Sequence, residues 1–410
     1  MAGPSRVLKF GGTALDSPGA VRRAVELIGR TSDAEADCVV VVSALAGVTD
    51  SLQRVADVAT GNRQVSLDTL ERVEERHRSL LADVATGQES VRAQEELDRR
   101  MGALRESVRR LGAGDGDARA LRDEVLSFGE RLSAPVMEAA LRSRTVEAEA
   151  RRAQALLVTS ENFGRARVKW SATRRAVRRE LQGRRPVQLV PGFVGASPSS
   201  RTTTLGRGGS DLTAVVLGAA LGVDEVQIWT DVDGVMTADP QIVPAARTIP
   251  SLSWEAMRIL SRYGGQVLQA SAVTWAQEAD LPLRIRNAGR PDGSGSRVGP
   301  DGSGRRPPGP AAVSANDPRE PREAVAERYP ELPPGVAVVG ARTTPAIEER
   351  LRGALERAAV HVLSVASAPA DSLVFAVPAR ERPRAVAAVH AELFESSGSR
   401  ERRMRRRGRG

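Results

Sequence analysis

Arg201–Asp211 reads "RTTTLGRGGSD", a run that joins opposite backbone tendencies. Three consecutive threonines are stiff at χ1 and favour extended backbone. Gly206–Gly209, Gly-Arg-Gly-Gly, is highly pliable. Ser210 and Asp211 then open the apolar run "LTAVVLGAALG". The order predicts a strand end or hairpin, a basic glycine-rich turn and a helix start. Backbone N–H groups in such turns and at helix N-termini cradle anions, and Arg207 adds a cation. Ser210 or Asp211 is expected to cap the helix.

A second turn of this kind lies at "KFGGT", Lys9–Thr13. Arg6–Phe10 reads as a strand that enters the Gly11–Gly12 turn, and a helix is expected from about Pro18 to Arg30. "DCVVVVSALAG" is a fully apolar strand ending in small residues. Strand, helix and strand at this spacing form a βαβ unit with a parallel, buried sheet. Ligands bind such open sheets outside the C-terminal ends of the strands, so the two glycine turns point to phosphate handling. Neither turn is the Walker pattern, and neither fits the dinucleotide pattern GxGxxG. "TDVDGV", Thr230–Val235, lacks the other ligands of a calcium loop.

The 410 residues leave room for two or three domains, and 41% hydrophobic content suits a globular protein. No apolar run approaches the roughly 20 residues of a membrane span, and "MAGPSRVLKF" has no apolar signal core. The single cysteine, Cys38, sits in an apolar strand and reads as a buried structural thiol. A cytoplasmic location is expected, with no membrane partner. Much of the net charge of +9 lies in the tail "SRERRMRRRGRG", which reads first as a solvated end; no nucleic-acid partner is expected, with this Arg-rich tail as a weak exception. Of 60 basic residues only Lys9 and Lys169 are lysines. A lysine kept at a glycine turn suits a compact point charge that approaches a phosphoryl group.

Residues from about 51 to 128 are charged and helical in period, as in "LDTLERVEERHRSLLADV", and predict a helical lobe. The helix "LRDEVLSFGERLSAPVMEAAL" carries Glu130. "QALLVTS", "PVQLVPGFVGA", "VDEVQIWTDVDGV" and "LPLRIRN" read as further strands. Residues 299–334 are rich in Gly and Pro and read as a linker. Residues 335–396 predict strand, helix, strand, strand, helix, and 397–410 an Arg-rich disordered tail.

At this point "VLKFGGTAL", "VVVVSALAGVTDSL", "FGERLSA", "TSENFGRA", "PGFVGASPSSRTTTLGRGGSDLTA", "IWTDVDGVMTADPQIVPAAR" and "YGGQVLQ" resemble, in order and spacing, the aspartokinases. The resemblance covers about residues 5–298 and implies the amino-acid kinase fold, a mainly parallel α/β sheet sandwiched by helices. The last unit resembles one truncated ACT domain. The activity implied is ATP-dependent phosphorylation of the β-carboxylate of L-aspartate, opening the route to lysine, threonine and methionine. By position, Lys9 would neutralise the phosphoryl group in transit and Asp211 would orient Lys9. Thr13, Ser43, Thr49, Glu130, Arg207 and Ser210 would hold aspartate, with Glu130 facing its α-ammonium and Arg207 a carboxylate. Gly11, Gly12, Thr230, Asp231, Met236, Gln241 and Gln266 would hold the nucleotide. Mg²⁺ would lie between phosphates and water, with no dedicated protein metal site. A homodimer through the ACT-like unit is implied as well.

The chain departs from the family pattern at four positions. Ala14 replaces a serine, Met236 a tyrosine, Gln241 an arginine and Gln266 a lysine. The last two remove positive charge from the nucleotide side. Two other readings therefore stand beside the aspartokinase one: a kinase diverted to a related amino acid, and a catalytically weak aspartate-binding subunit. With one ACT-like unit, weak feedback control is expected.

Overall fold

The computed structural model describes residues 6–32, 38–59, 61–181, 183, 186–262, 267–300, 312–315, 336–340, 345–368 and 372–395. The first elements are β1 (Arg6–Phe10), α1 (Pro18–Ser32), β2 (Cys38–Val42), α2 (Val48–Val58), α3 (Arg63–Val84), α4 (Gly87–Ala113) and α5 (Ala118–Arg142). Then come β3 (Ala148–Ala150), α6 (Ala153–Leu156), α7 (Trp170–Leu181), β4 (Val187–Pro191), β5 (Val194–Ala196), β6 (Thr202–Thr204), α8 (Gly209–Leu221) and β7 (Val226–Thr230). They are followed by β8 (Ser251–Ser253), α9 (Trp254–Arg262), α10 (Ala270–Glu278), β9 (Leu283–Asn287) and β10 (Ser296–Gly299). The last are β11 (Ala312–Ala315), β12 (Val336–Gly340), α11 (Pro345–Arg357), β13 (Ser364–Ala368), β14 (Ser372–Ala376) and α12 (Arg382–His390). No described helix is long and apolar enough to cross a membrane.

Two compact units divide the chain: Met1–Val232 with Trp275–Ser294, and Asp233–Thr274 with Gly295–Gly410. In the first, parallel strands run in the order β3-β4-β2-β1-β7-β9. All five residues of β2 and of β4 are buried, as expected of strands covered on both faces; in β4 the buried Gln188 side chain donates to the Pro186 carbonyl and accepts from Arg151. Helix α8 packs on β1, β2 and β7 and is buried almost all round, so its sequence is apolar on every side rather than striped. Helices α2–α5 form the helical lobe, with α5 reaching back onto β2, β3 and β4. Burial pushes the Cys38 thiol up to about 12, which makes it structural rather than reactive.

Three local readings change. "QALLVTS" begins as the short helix α6 and only bridges to neighbouring strands at Val158 and Thr159. "PVQLVPGFVGA" breaks into β4 and β5 around Gly192 and Phe193. A Cβ at Gly192 would lie 2.6 Å from the Ser210 Cβ, so glycine there lets the first turn of α8 sit against the strand end. The residue that caps α8 is Gly208, at φ +70°, with no side-chain bond. Ser210 and Asp211 lie inside the first helical turn, which frees both side chains for the cleft described below.

In the second unit, β8 and β10 pair in parallel. β11, β12, β14 and β13 form an antiparallel sheet in that order. The strand–helix–strand–strand–helix run of the C-terminal unit is thus joined by β11, which comes from the stretch expected to be linker and covers the free edge of β12. Leu351, Leu355, Leu373, Phe375, Val386 and Val389 share one core with Ala238 and Val243. The Arg-rich tail lies outside the described residues.

Candidate active site

The site forms where β1, β2 and β7 end. The Gly11 amide donates to the Trp229 carbonyl at 2.9 Å and the Ser43 amide to the Phe10 carbonyl at 3.2 Å. These bonds hold the two loops that follow β1 and β2 side by side. Lys9, Gly12, Ser43, Thr49, Glu130, Arg207, Ser210 and Asp211 line one cleft of about 760 Å³. Lys9 leaves the end of β1 and Asp211 the first turn of α8, and they meet with Nζ 2.6 Å from Oδ1, at 11% and 10% side-chain exposure. Such a half-desolvated pair holds a cation at a fixed point while leaving ammonium donors free.

Glu130 lies deeper, on α5 and 4% exposed. It accepts a hydrogen bond from Ser210 Oγ at 3.2 Å through Oε1, while Oε2 is buried with no partner among the described residues. Burial pushes its carboxyl up to about 7, partly offset by backbone and Ser210 hydrogen bonds and by the Lys9 charge. An unpartnered buried carboxylate oxygen favours an incoming cationic donor. Arg207 is exposed at the mouth of the cleft.

The other sequence-predicted positions lie elsewhere. Gly11 is buried behind the turn and Thr13 is exposed; neither lines the cleft. Thr230 and Asp231 end β7, with Thr230 Oγ1 donating to Asp231 Oδ1 at 3.0 Å and Asn287 Nδ2 to the Asp231 carbonyl at 3.1 Å. Met236 and Gln241 belong to the second unit. There, Met236 Sδ accepts from Thr248 Oγ1 at 3.4 Å, and the Gln241 amide donates to Asp239 Oδ1 at 2.8 Å. Gln266 lies outside the described residues.

Several cleft residues escaped the sequence reading, among them Asp50, Arg119, Arg122 and Asp123. Asp123 lies seven positions before Glu130 on α5, two helical turns away and so on nearly the same face. That spacing of two acids on one apolar helix face was the available signal.

Residues 5–287 match the model of the amino acid kinase family, and the chain belongs to that family. Among curated relatives it is 32% identical to the chloroplastic aspartokinase 2 of Arabidopsis thaliana, covering 71% of this chain and 54% of the relative. It is 32% identical to the lysine-sensitive aspartokinase 3 of Escherichia coli, covering 71% and 63%. The chain therefore spans between half and two thirds of the length of these relatives. Its fold matches the crystal structure of E. coli aspartokinase III in complex with aspartate and ADP. That match has a TM-score of 0.81 at 22% identity and covers 95% of this chain and 100% of the other.

Proposed function

We propose that the chain is an aspartokinase that transfers the γ-phosphoryl group of ATP to the β-carboxylate of L-aspartate. The observation that carries the reading is the Lys9–Asp211 pair, 2.6 Å apart, in one cleft with a buried carboxylate whose Oε2 has no partner among the described residues and with the exposed Arg207 guanidinium. A zwitterionic dicarboxylic amino acid matches that charge pattern. Glu130 would take the α-ammonium, Arg207 one carboxylate, and Ser43, Thr49 and Ser210 the remaining acceptors. The second carboxylate would then face Lys9. Thr13, by its exposure, would act only at the entrance.

Phosphoryl transfer depends on positioning and charge neutralisation more than on a covalent catalyst. The acceptor carboxylate is ionised at neutral pH and needs no general base. One of its oxygens forms the new bond to phosphorus as the bond to the β-phosphate oxygen breaks, leaving ADP. Lys9 would hold the negative charge of the transferring group and Asp211 would hold Lys9. Gly11, Gly12, Thr230, Asp231, Met236, Gln241 and Gln266 are proposed for the nucleotide. Among the described residues no group of three or more His, Cys, Asp or Glu is placed to cage a metal. Mg²⁺ would enter on the nucleotide phosphates, where it would supply charge neutralisation. The wider reading includes the first step towards lysine and threonine, a cytoplasmic location, and a homodimer through the C-terminal units.

The test is a coupled ADP-release assay of the pure protein over a panel of amino acids. Turnover with L-aspartate well above all others is the expected result. ADP release driven better by another amino acid, or aspartate binding with no ADP, would overturn it.

A further inference from the structure

Asp123 is a buried carboxylate in the acceptor cleft, and its partners are unusual. It is 2% exposed. Its Oδ2 accepts the Gly164 amide at 3.0 Å and the Thr204 amide at 2.7 Å, while Oδ1 accepts Thr204 Oγ1 at 3.0 Å. None of the ion pairs among the described residues includes it, and burial raises its carboxyl above the usual range despite these bonds. A buried charge held by neutral donors alone is costly unless each lone pair in use has a partner. Here the three donors come from two separate loops and none from α5.

Both loops belong to the cleft. Phe163 and Gly164 line it, and Thr204 ends β6 three residues before Arg207. They also touch each other, since a Cβ at Gly206 would lie 3.0 Å from the Gly164 carbonyl. Two further contacts tie the same segments together: Arg201 pairs with Asp117 at 2.6 Å at the start of α5, and its guanidinium lies over the Phe163 ring at 4.5 Å. These two are part-exposed, and exposed pairs contribute little. Asp123 is the buried member of the set.

We propose that Asp123 is a positioning residue, whose carboxylate clamps the Gly164 loop and the end of the threonine arm to α5 and so sets where Arg207 meets the acceptor amino acid. The proposal rests on the acceptor assignment of Arg207 made above. It predicts a split: loss of the clamp displaces the carboxylate-binding cation and leaves Lys9, Asp211 and the nucleotide residues in place.

Asp123→Asn is the sharpest probe, because it keeps shape but turns one acceptor oxygen into a donor that faces two amides or a hydroxyl. The KM for L-aspartate is expected to rise about tenfold or more, the scale of one hydrogen bond to a charged group. The KM for ATP should stay within about twofold. Hydrogen exchange should quicken in segments 161–166 and 202–208 and not along α5. Equal shifts in both KM values, or none, would overturn the proposal, as would exchange that quickens throughout. If Asp123→Asn does not fold, Thr204→Val removes one donor and should give the same split at about threefold; no split there overturns it equally. If the wild type turns over no aspartate, the acceptor assignment fails. Asp123 is then judged on exchange alone, where an unchanged or uniform pattern rejects the clamp.

Discussion

The cleft around Lys9 and the segment proposed to meet the nucleotide differ in how they present charge. In the cleft, charges sit on regular elements: Lys9 near the end of β1, Asp211 in the first turn of α8, Glu130 and Asp123 within α5. All four are buried, where an electrostatic interaction is stronger than in water and a misplaced charge costs more. Between β7 and β8 the chain forms neither helix nor strand. Its two candidate side chains, Met236 and Gln241, are neutral; the Met236 sulfur accepts from Thr248, and the Gln241 backbone N–H donates to Asp239. The cleft resembles the aspartokinase pattern at its charged positions, while the second segment has lost charge from that pattern. The difference is one of charge: the cleft is built from buried charged side chains, and Met236 and Gln241 bring none.

Removing Lys9 should break the comparison most severely. Lys9→Ala is expected to lower kcat by roughly 10²–10³-fold, the scale for losing a preorganised group at a developing charge. Near-normal turnover in a steady-state assay would remove Lys9 from the chemistry. Glu130 sharpens the same side through pH. Its folded-state carboxyl is raised to about 7 from 4.5, so it stabilises the fold below about 4.5 and that contribution is lost as pH rises through 7. Glu130→Gln should therefore be more stable than the wild type at pH 8, by up to ~3 kcal/mol, and equal to it near pH 4. Denaturant melts at the two pH values decide this. The same substitution should abolish aspartate binding, since binding an ammonium needs the ionised form.

On the other side, Gln241→Arg with Gln266→Lys should tighten ATP–Mg²⁺ by roughly 30-fold, one to two charge-assisted hydrogen bonds. Calorimetry showing no gain would mean that the missing charges are supplied elsewhere and that the contrast is one of sequence alone. The smallest effect is expected from Arg207→Lys, about tenfold in the KM for aspartate, because an ammonium cannot reproduce a bidentate fork on a carboxylate. An unchanged KM would place the acceptor carboxylate away from Arg207.

Much of the cleft was legible in one dimension. Lys9 stood out as one of two lysines, and the glycine turns placed Lys9 and Arg207 beside strand ends and Asp211 at a helix start, while Ser43, Thr49 and Glu130 came only from the resemblance to the aspartokinases. Asp123 was not, because its three partners sit 41 and 81 positions away. The spacing of Asp123 and Glu130 on one face of α5 marks Asp123 as facing inward, but nothing local names the groups that it would hold.

The sequence by itself determined the parallel sheet and the largely apolar helix α8, since an unbroken apolar run such as β2 has no other place to go than between two layers. It also determined that a basic glycine turn precedes α8. Only the tertiary structure decided that Gly208 caps that helix, so that Ser210 and Asp211 turn inward to Glu130 and Lys9. It decided too that Ala312–Ala315 completes the C-terminal sheet. The physical reason is common to both. Periodicity reports which residues avoid water, whereas the partner of a backbone edge or a buried charge is chosen by whichever group chain closure brings within reach.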